Sequence, residues 1–327
     1  MKRSTVSRAA ALPAAIVLAL ALAACGGGTE LEAQKAAGTG ATALSGEVIA
    51  DGSSTVQPLT AAAGELFAEE QSGVNVSVAT SGTGGGFEKF CQGQTDLSNA
   101  SRPIKDEEKA ACAAKGIEFT QLRVATDALT VVTSKDNDFL DCITTDELKK
   151  IWAPEAEGKV TTWQQVNPAW PAEKIDLYGP GTDSGTFDYF TDEVNGEEGA
   201  SRADYNASED DNVLVQGVSG GANTLGYFGF TYYEENADAL KAVAVDAGKG
   251  CVEPSSENAK NGSYAPLARP LFIYVANKAY AEKPQVAAFV DYYADNVNTI
   301  AETAQFITLS DEQVAELSSA VNALSGR

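Results

Sequence analysis

Glu47-Val48-Ile49-Ala50-Asp51-Gly52-Ser53-Ser54-Thr55-Val56-Gln57-Pro58 runs from a β-type stretch into a hydroxyl-rich turn, and Leu59 to Glu70 continues with a helical pattern. The same order of strand, hydroxyl turn and helix returns twice. Val74 to Ala79 alternates as a strand does, then leads through Ser81-Gly82-Thr83-Gly84-Gly85-Gly86 into a helix beginning over Phe87 to Cys91. Ile175 to Tyr178 leads through Gly181-Thr182-Asp183-Ser184-Gly185-Thr186-Phe187 into a helical stretch over Asp188 to Val194. Further strand patterns lie at Ala128 to Thr133, Val243 to Val245 and Leu271 to Val275. Further helical patterns lie at Thr145 to Trp152, Pro284 to Asn296 and Asp311 to Leu324. Strands alternating with helices predict an α/β protein with open sheets. No fixed-period repeat is present.

The three turns share a chemistry. A helix N-terminus carries unpaired backbone N–H groups and a partial positive charge, so it attracts anions without a cationic side chain. Serine and threonine add hydroxyl donors there, and glycine lets the backbone come close to a ligand. Each turn taken singly also fits an ordinary helix cap, because Ser, Thr and Asp are the favoured caps. Three in one chain, two of them repeating Ser-Gly-Thr, point to a shared anion site. None is followed by Gly-Lys-Ser/Thr, which argues against a nucleotide-binding loop.

The N-terminus reads as an export signal. Lys2, Arg3 and Arg8 precede an uncharged apolar run from Ala9 to Ala24, shorter than the roughly 20 residues a membrane span needs. The run closes Leu22-Ala23-Ala24-Cys25-Gly26-Gly27-Gly28. Residues 1–24 are therefore expected to be a signal cut before Cys25, with the Cys25 thiol carrying lipid such as palmitate. A Gly/Ala/Thr-rich linker at 25–45 should follow. No later segment is apolar and long enough to span a bilayer, so the protein should sit at the extracytoplasmic face of the cell membrane.

Of 327 residues, about 280 remain for the folded part, enough for two lobes of ordinary domain size. The net charge of -23 makes nucleic acid and anionic lipid poor partners. It also means that an anion site must be built locally, against the field of the whole protein. Cys91, Cys112, Cys142 and Cys251 form an even set in an exported chain and predict disulfides. Three pairings are possible, and Cys91–Cys112 with Cys142–Cys251 is preferred. There are no histidines, so Ser-His-Asp and Cys-His hydrolases are excluded. With no histidine and no Cys-x-x-Cys, a structural zinc site is not expected, nor is any other metal or cofactor.

A family resemblance rests on the turns and on what lies between them. Gly52 to Pro58, Ser81 to Phe87, Asp96-Leu97-Ser98-Asn99-Ala100-Ser101-Arg102-Pro103-Ile104 and Thr182 to Phe187 occur in this order. Gly226-Tyr227-Phe228-Gly229 and Ala268-Arg269-Pro270-Leu271-Phe272-Ile273-Tyr274-Val275 follow. From about Gly46 to the C-terminus the chain resembles the phosphate-binding lipoproteins of phosphate ABC importers, the PstS family. The resemblance implies a type II periplasmic-binding-protein fold, with two α/β lobes closing on dehydrated phosphate. Lobe 1 would comprise 46–125 and 270–327, and lobe 2 would comprise 126–269. The crossovers would lie near Val124 to Val132 and Arg269 to Val275. It further implies a monomer, no catalysis and membrane permease subunits as partners.

Carried over by position, the phosphate contacts would be Ser54, Thr55 and Val56, then Ser81, Gly82 and Thr83, then Ser184, Gly185 and Thr186. Some relatives carry an aspartate where Ser101 stands and an arginine where Pro180 stands. Arg102, beside Ser101, is then the candidate cation, with a surface ion pair as its alternative. Asp183 is the candidate acceptor for the ligand's proton, with helix capping as its alternative. Trp152, Trp163 and Trp170 read as packing, and Tyr227 to Tyr233 as core. Two rivals remain: the same fold holding sulfate, molybdate or another oxyanion, and an exported phosphatase. The latter would need metal ligands or a nucleophile with a base, and neither constellation is visible.

Overall fold

A computed structural model describes residues 44–326; the signal, Cys25 and nearly all of the linker fall outside them. The chain opens as β1 (Gly46–Gly52), α1 (Gln57–Glu70), β2 (Val74–Thr80), α2 (Gly82–Cys91), β3 (Leu97–Ala100) and α3 (Asp106–Ala114). A 16-residue strand, β4 (Phe119–Ser134), leads to β5 (Cys142–Thr144), α4 (Thr145–Trp152) and α5 (Trp163–Val166). Next come β6 (Asp176–Gly179), α6 (Gly185–Phe190), β7 (Asn206–Ala207), α7 (Asp211–Ser219), β8 (Thr224–Gly229) and α8 (Phe230–Glu235). The chain then passes through β9 (Leu240–Ala242), β10 (Ala244–Asp246), β11 (Cys251–Val252) and α9 (Ser256–Lys260). It returns along β12 (Ala268–Ala276) and ends in α10 (Asn277–Glu282), α11 (Pro284–Asp295), α12 (Val297–Thr303) and α13 (Asp311–Ser325).

The main sheet has nine strands in the order β2-β1-β3-β12-β4-β8-β6-β7, with β9 also on β4. β1 is parallel to both β2 and β3, the pattern expected when helices such as α1 and α2 cross over between strands. β12 runs antiparallel between β3 and β4, pairing from Ala268 opposite Ala128 to Ala276 opposite Phe119. Beyond that register β4 continues, pairing with β8 at Leu129 to Val132 and with β9 at Val132 to Ser134. β4 and β12 are thus the strands shared by both halves of the sheet.

The hydrophobic core divides along the same line. One cluster gathers Val48, Leu59, Phe67, Leu97, Leu122, Ala125, Leu271 and Phe289 with the C-terminal helices. Another gathers Leu129, Val131, Trp152, Trp163, Phe190, Leu225 and Tyr227. Between them β4 carries the buried polar pair Thr126 and Asp127. Trp152 and Trp163 are fully buried, as the packing reading of the tryptophans expects, and Tyr227 and Phe228 are core.

Several boundaries shift from the sequence expectation. α2 begins at Gly82 rather than at Phe87, because its glycines pack on the β1 turn: a Cβ on Gly86 would lie 2.5 Å from Gly52 Cα. α6 starts at Gly185, and Thr191–Asn195 continues it as a π-helical turn that ends on left-handed Gly196. β3, α3, α7 and β8 have no counterpart in the periodicity reading.

Cys91 pairs with Cys112 across α2 and α3, and Cys142 with Cys251 across β5 and β11, the preferred connectivity. The second bond closes a separation of 109 residues within the small β11-β10-β5 sheet. Long closed loops restrict the unfolded chain most, and such bonds typically contribute about 2–4 kcal/mol. Replacing Cys142 and Cys251 together by alanine should lower the unfolding free energy by that amount in denaturant titrations. A loss under about 0.5 kcal/mol would show that the bond does not form in solution.

Candidate functional site

The turn after β1 is held open by backbone geometry. Gly52 adopts φ +141°, and a Cβ there would meet Asn99 O at 2.1 Å, so only glycine fits. Ser53 N–H donates to Asn99 O at 2.9 Å, and Gln57 N–H donates to Ser53 O at 3.1 Å. Among the described residues, the N–H groups of Ser54, Thr55 and Val56 between them have no protein acceptor. The Val56 side chain itself is buried in the core.

Ser81 starts the second turn, yet its hydroxyl does not cap α2. It donates instead to Asp51 Oδ1 at 2.8 Å, and Ser81 N–H donates to the same oxygen at 3.0 Å. Asp51 is buried at the end of β1 and pairs through Oδ2 with Lys89. Burial opposes its ionisation, but the hydrogen bonds from Lys89 and Ser81 outweigh it and hold the carboxyl below its ordinary range. Without a side-chain cap, the first N–H groups of α2 stay unpaired. Thr83 joins the loop after β3, its hydroxyl 3.1 Å from Ser101 Oγ and accepting Ser101 N–H at 3.2 Å.

These turns line a cavity of about 640 Å³ with Ser53, Ser54, Thr55, Ser81, Gly82, Thr83, Gly84, Ser101, Arg102, Pro103 and the exposed Lys105 on one side. Gly185, Asp188, Tyr189, Asp192, Glu193 and Glu198 supply the other, and Arg269 and Pro270 come from β12. The third turn approaches the first closely: a Cβ on Gly185 would lie 2.8 Å from Thr55 Oγ1 and 3.4 Å from Ser54 Oγ.

Not every expected residue lies there. The cavity gathers Ser54, Thr55, Ser81, Gly82, Thr83, Ser101, Arg102 and Gly185. Ser184 caps α6 instead, its hydroxyl accepting Thr186 N–H at 3.2 Å. Thr186 faces a second hollow with Pro58, Asp127 and Asp211. Asp183 is exposed and is not among the residues lining the cavity, and its N–H donates to Glu209 Oε1 at 3.3 Å. Arg102 does line the cavity but forks onto Glu108, with Nη1 to Oε2 at 2.9 Å and Nη2 to Oε1 at 2.8 Å. That hydrogen bond raises the Arg102 pKa, and it overcomes burial to lower that of Glu108.

Several cavity residues have no expected role from the sequence, among them Lys105, Asp188, Tyr189, Glu193 and Arg269. Arg269, expected only as the start of the return crossover, sets a cation on the cavity. Tyr189 and Asp188 lie one turn past Ser184 in α6, facing the cavity. Burial raises the Asp188 pKa and Glu198 adds to the effect, with Arg269 opposing both. Burial raises Glu193 likewise, aided by Asp192 and again opposed by Arg269. The Tyr189 hydroxyl is pushed well above its ordinary pKa by burial and donates to Pro266 O. Among the described residues no cluster of three or more acidic or thiol groups is arranged to hold a metal, and no helix is long and apolar enough to cross a membrane.

With this arrangement in view, comparison with known proteins is decisive. Residues 37–297 match the PBP superfamily domain. The phosphate-binding protein PstS of Staphylococcus saprophyticus is 42% identical over 315 residues, 96% of this chain and 93% of its own length. The chain belongs to the PstS family of substrate-binding proteins. The protein SphX of Synechococcus elongatus is 51% identical over 263 residues, 80% of this chain and 77% of its own. A crystal structure described as a possible phosphate binding protein from Planctomyces limnophilus superposes with a TM-score of 0.81 at 43% identity. That superposition covers 86% of this chain and 99% of the other. The periplasmic-binding-protein-like α/β fold expected from the sequence is therefore the fold of this PstS-family chain.

The approach of the first and third turns has a direct check. Gly185→Ala puts a methyl group against the Thr55 hydroxyl, an overpacking that should cost about 1–3 kcal/mol and lower the thermal midpoint. An unchanged midpoint would mean that the two turns stand apart in solution.

Proposed function

We propose that this protein is an extracytoplasmic receptor that captures inorganic phosphate between two lobes and delivers it to the permease of an ABC importer. The observation that carries the reading is the cavity itself, where unpaired N–H groups, clustered hydroxyls and the Arg269 guanidinium converge. It is joined by relatives named phosphate-binding proteins over nearly the whole chain. A desolvated tetrahedral oxyanion accepts many hydrogen bonds, and this donor-rich lining is suited to supply them. Ser54, Thr55 and Val56 act through the first turn, Ser81, Gly82 and Thr83 through the second, and Gly185 through the third.

The lobes divide at 125/126 and 269/270, a partition supported by the two largest hydrophobic clusters, with a small cluster of Ala128, Phe230, Ala259 and Ile307 packed across it. Binding favours closure because only the closed form completes hydrogen bonds from both walls. The protein acts as a monomer and performs no catalysis. Titration calorimetry with phosphate and a parallel assay of phosphate monoester hydrolysis test this: saturable binding with no turnover is expected. Turnover would make it a phosphatase, and preference for sulfate or molybdate would make it a receptor for another oxyanion.

Cys25 carries the lipid that holds the receptor at the outer face of the membrane, a reading that rests on Leu22-Ala23-Ala24-Cys25. Intact mass of protein extracted from host membranes should show acylated Cys25 as the first residue. An unmodified thiol, or another N-terminus, would contradict the anchor.

At neutral pH phosphate keeps a proton and sulfate does not, so an acceptor-only carboxylate binds one and repels the other. Asp188 takes this role in place of Asp183. Its side chain lines the cavity and, among the described residues, makes no hydrogen bond or ion pair. Asp188→Asn should weaken phosphate binding about 10- to 100-fold, the size of one charge-assisted hydrogen bond, while improving sulfate binding. An unaltered ratio of the two dissociation constants would remove Asp188 from selectivity.

A further inference from the structure

Two arginines line the cavity, and they differ in what they have left to give. Arg102 turns its end-on pair of nitrogens to Glu108, and Nη1 also donates to Pro103 O at 3.2 Å, which leaves Nε–H and one Nη2 hydrogen. Arg269 is committed differently. It stands opposite Asp127 in the β4–β12 register, and its Nε donates to Asp127 Oδ2 at 3.2 Å. Its Nη2 donates to Thr55 Oγ1 at 3.0 Å, and the guanidinium lies over the Tyr189 ring, 3.6 Å from the centroid. A guanidinium has five N–H donors in a fixed plane, so these two bonds leave three, shared between Nη1 and Nη2. Among the described residues those three have no acceptor. The side chain is only 17% exposed. A largely enclosed, charged fork that lines a cavity has donors that an anion would satisfy.

We infer that Arg269 is the cation that grips the bound oxyanion, and that Asp127 is the positioning residue that turns its open end into the cavity. The inference rests on the oxyanion reading of the cavity. Asp127 takes Nε, the one donor on the side of the fork, and Thr55 takes one hydrogen of Nη2. The Tyr189 ring fixes the plane by a cation–π contact. What remains is the end-on pair of nitrogens, the geometry that meets two oxygens of a tetrahedral anion at once. Lysine cannot reproduce it, since an ammonium is a point charge without a fork. Arg269 also touches Thr55 on one wall and Tyr189 on the other, so an anion held by it contacts a group already shared by both.

Calorimetric titration of the purified protein with inorganic phosphate tests this, using wild type, Arg269→Gln, Arg269→Lys, Asp127→Asn and Arg102→Gln. Arg269→Gln should weaken binding at least 30-fold and Arg269→Lys nearly as much. Arg102→Gln, which removes an already paired group, should change it less than fivefold. Asp127→Asn should weaken binding five- to 20-fold. In the same variant the Arg269 side-chain Nε–H signal in the ¹⁵N spectrum should move to the position of a solvent-averaged arginine, a change that a purely structural role would not produce. In wild type that signal, assigned by its loss in Arg269→Lys, should shift as phosphate is added. This arm reads the wild-type protein and needs only that Arg269→Lys folds well enough to assign the signal. If wild type does not bind phosphate, the reading of the cavity fails. If wild type binds but the Arg269 signal does not respond, or Arg269→Gln binds within threefold of wild type, Arg269 is only a tie between strands.

Discussion

The contact on which the cavity depends is the cross-strand pair of Asp127 and Arg269 at the junction of β4 and β12. These strands belong to both halves of the sheet, and the two hydrophobic clusters meet on either side of them. A salt bridge placed there, 10% and 17% exposed at its two side chains, is a costly feature unless the charge has a use. Burial raises the Asp127 pKa, and Arg269 opposes that rise without cancelling it. From this position one guanidinium reaches Thr55 and Tyr189, which come from opposite walls.

The acidity of the chain explains why the site needs this construction. With a net charge of -23 and with Asp188, Asp192, Glu193 and Glu198 along one wall, the general field repels an anion. Capture then depends on short-range donors that act after water has been removed. The unpaired N–H groups at Ser54 to Val56 and at the start of α2 supply them, kept available because Asp51 rather than a backbone amide takes the Ser81 hydroxyl. The acidic wall has its own consequence: a fully ionised dianion meets it unfavourably, whereas a hydrogen phosphate offers it a proton.

Much of this was legible in the sequence, because strand, turn and helix periodicity are local. α4 and the start of α13 fall where the pattern sets them, and the first two turns meet as their shared chemistry suggests. The third turn divides its roles: Gly185 lines the cavity, while Ser184 caps α6, the ordinary alternative for such a residue. Asp183 and Asp188 are both near Ser184 in the chain, and only helix geometry decides that the second faces the cavity. Arg269 lies 214 residues from Thr55 and 142 from Asp127, a proximity that depends on strand pairing no local pattern reveals. β3, only four residues long and wholly buried, lacks the alternation that marks a half-exposed strand.

A crystal structure of the protein grown with phosphate tests the central claim most directly. One tetrahedral anion should appear enclosed between the turns, within hydrogen-bond distance of Thr55, Ser81 and the terminal nitrogens of Arg269, with Asp188 accepting from its protonated oxygen. An anion bound elsewhere, or one in the cavity that leaves Arg269 and Asp188 untouched, would contradict it.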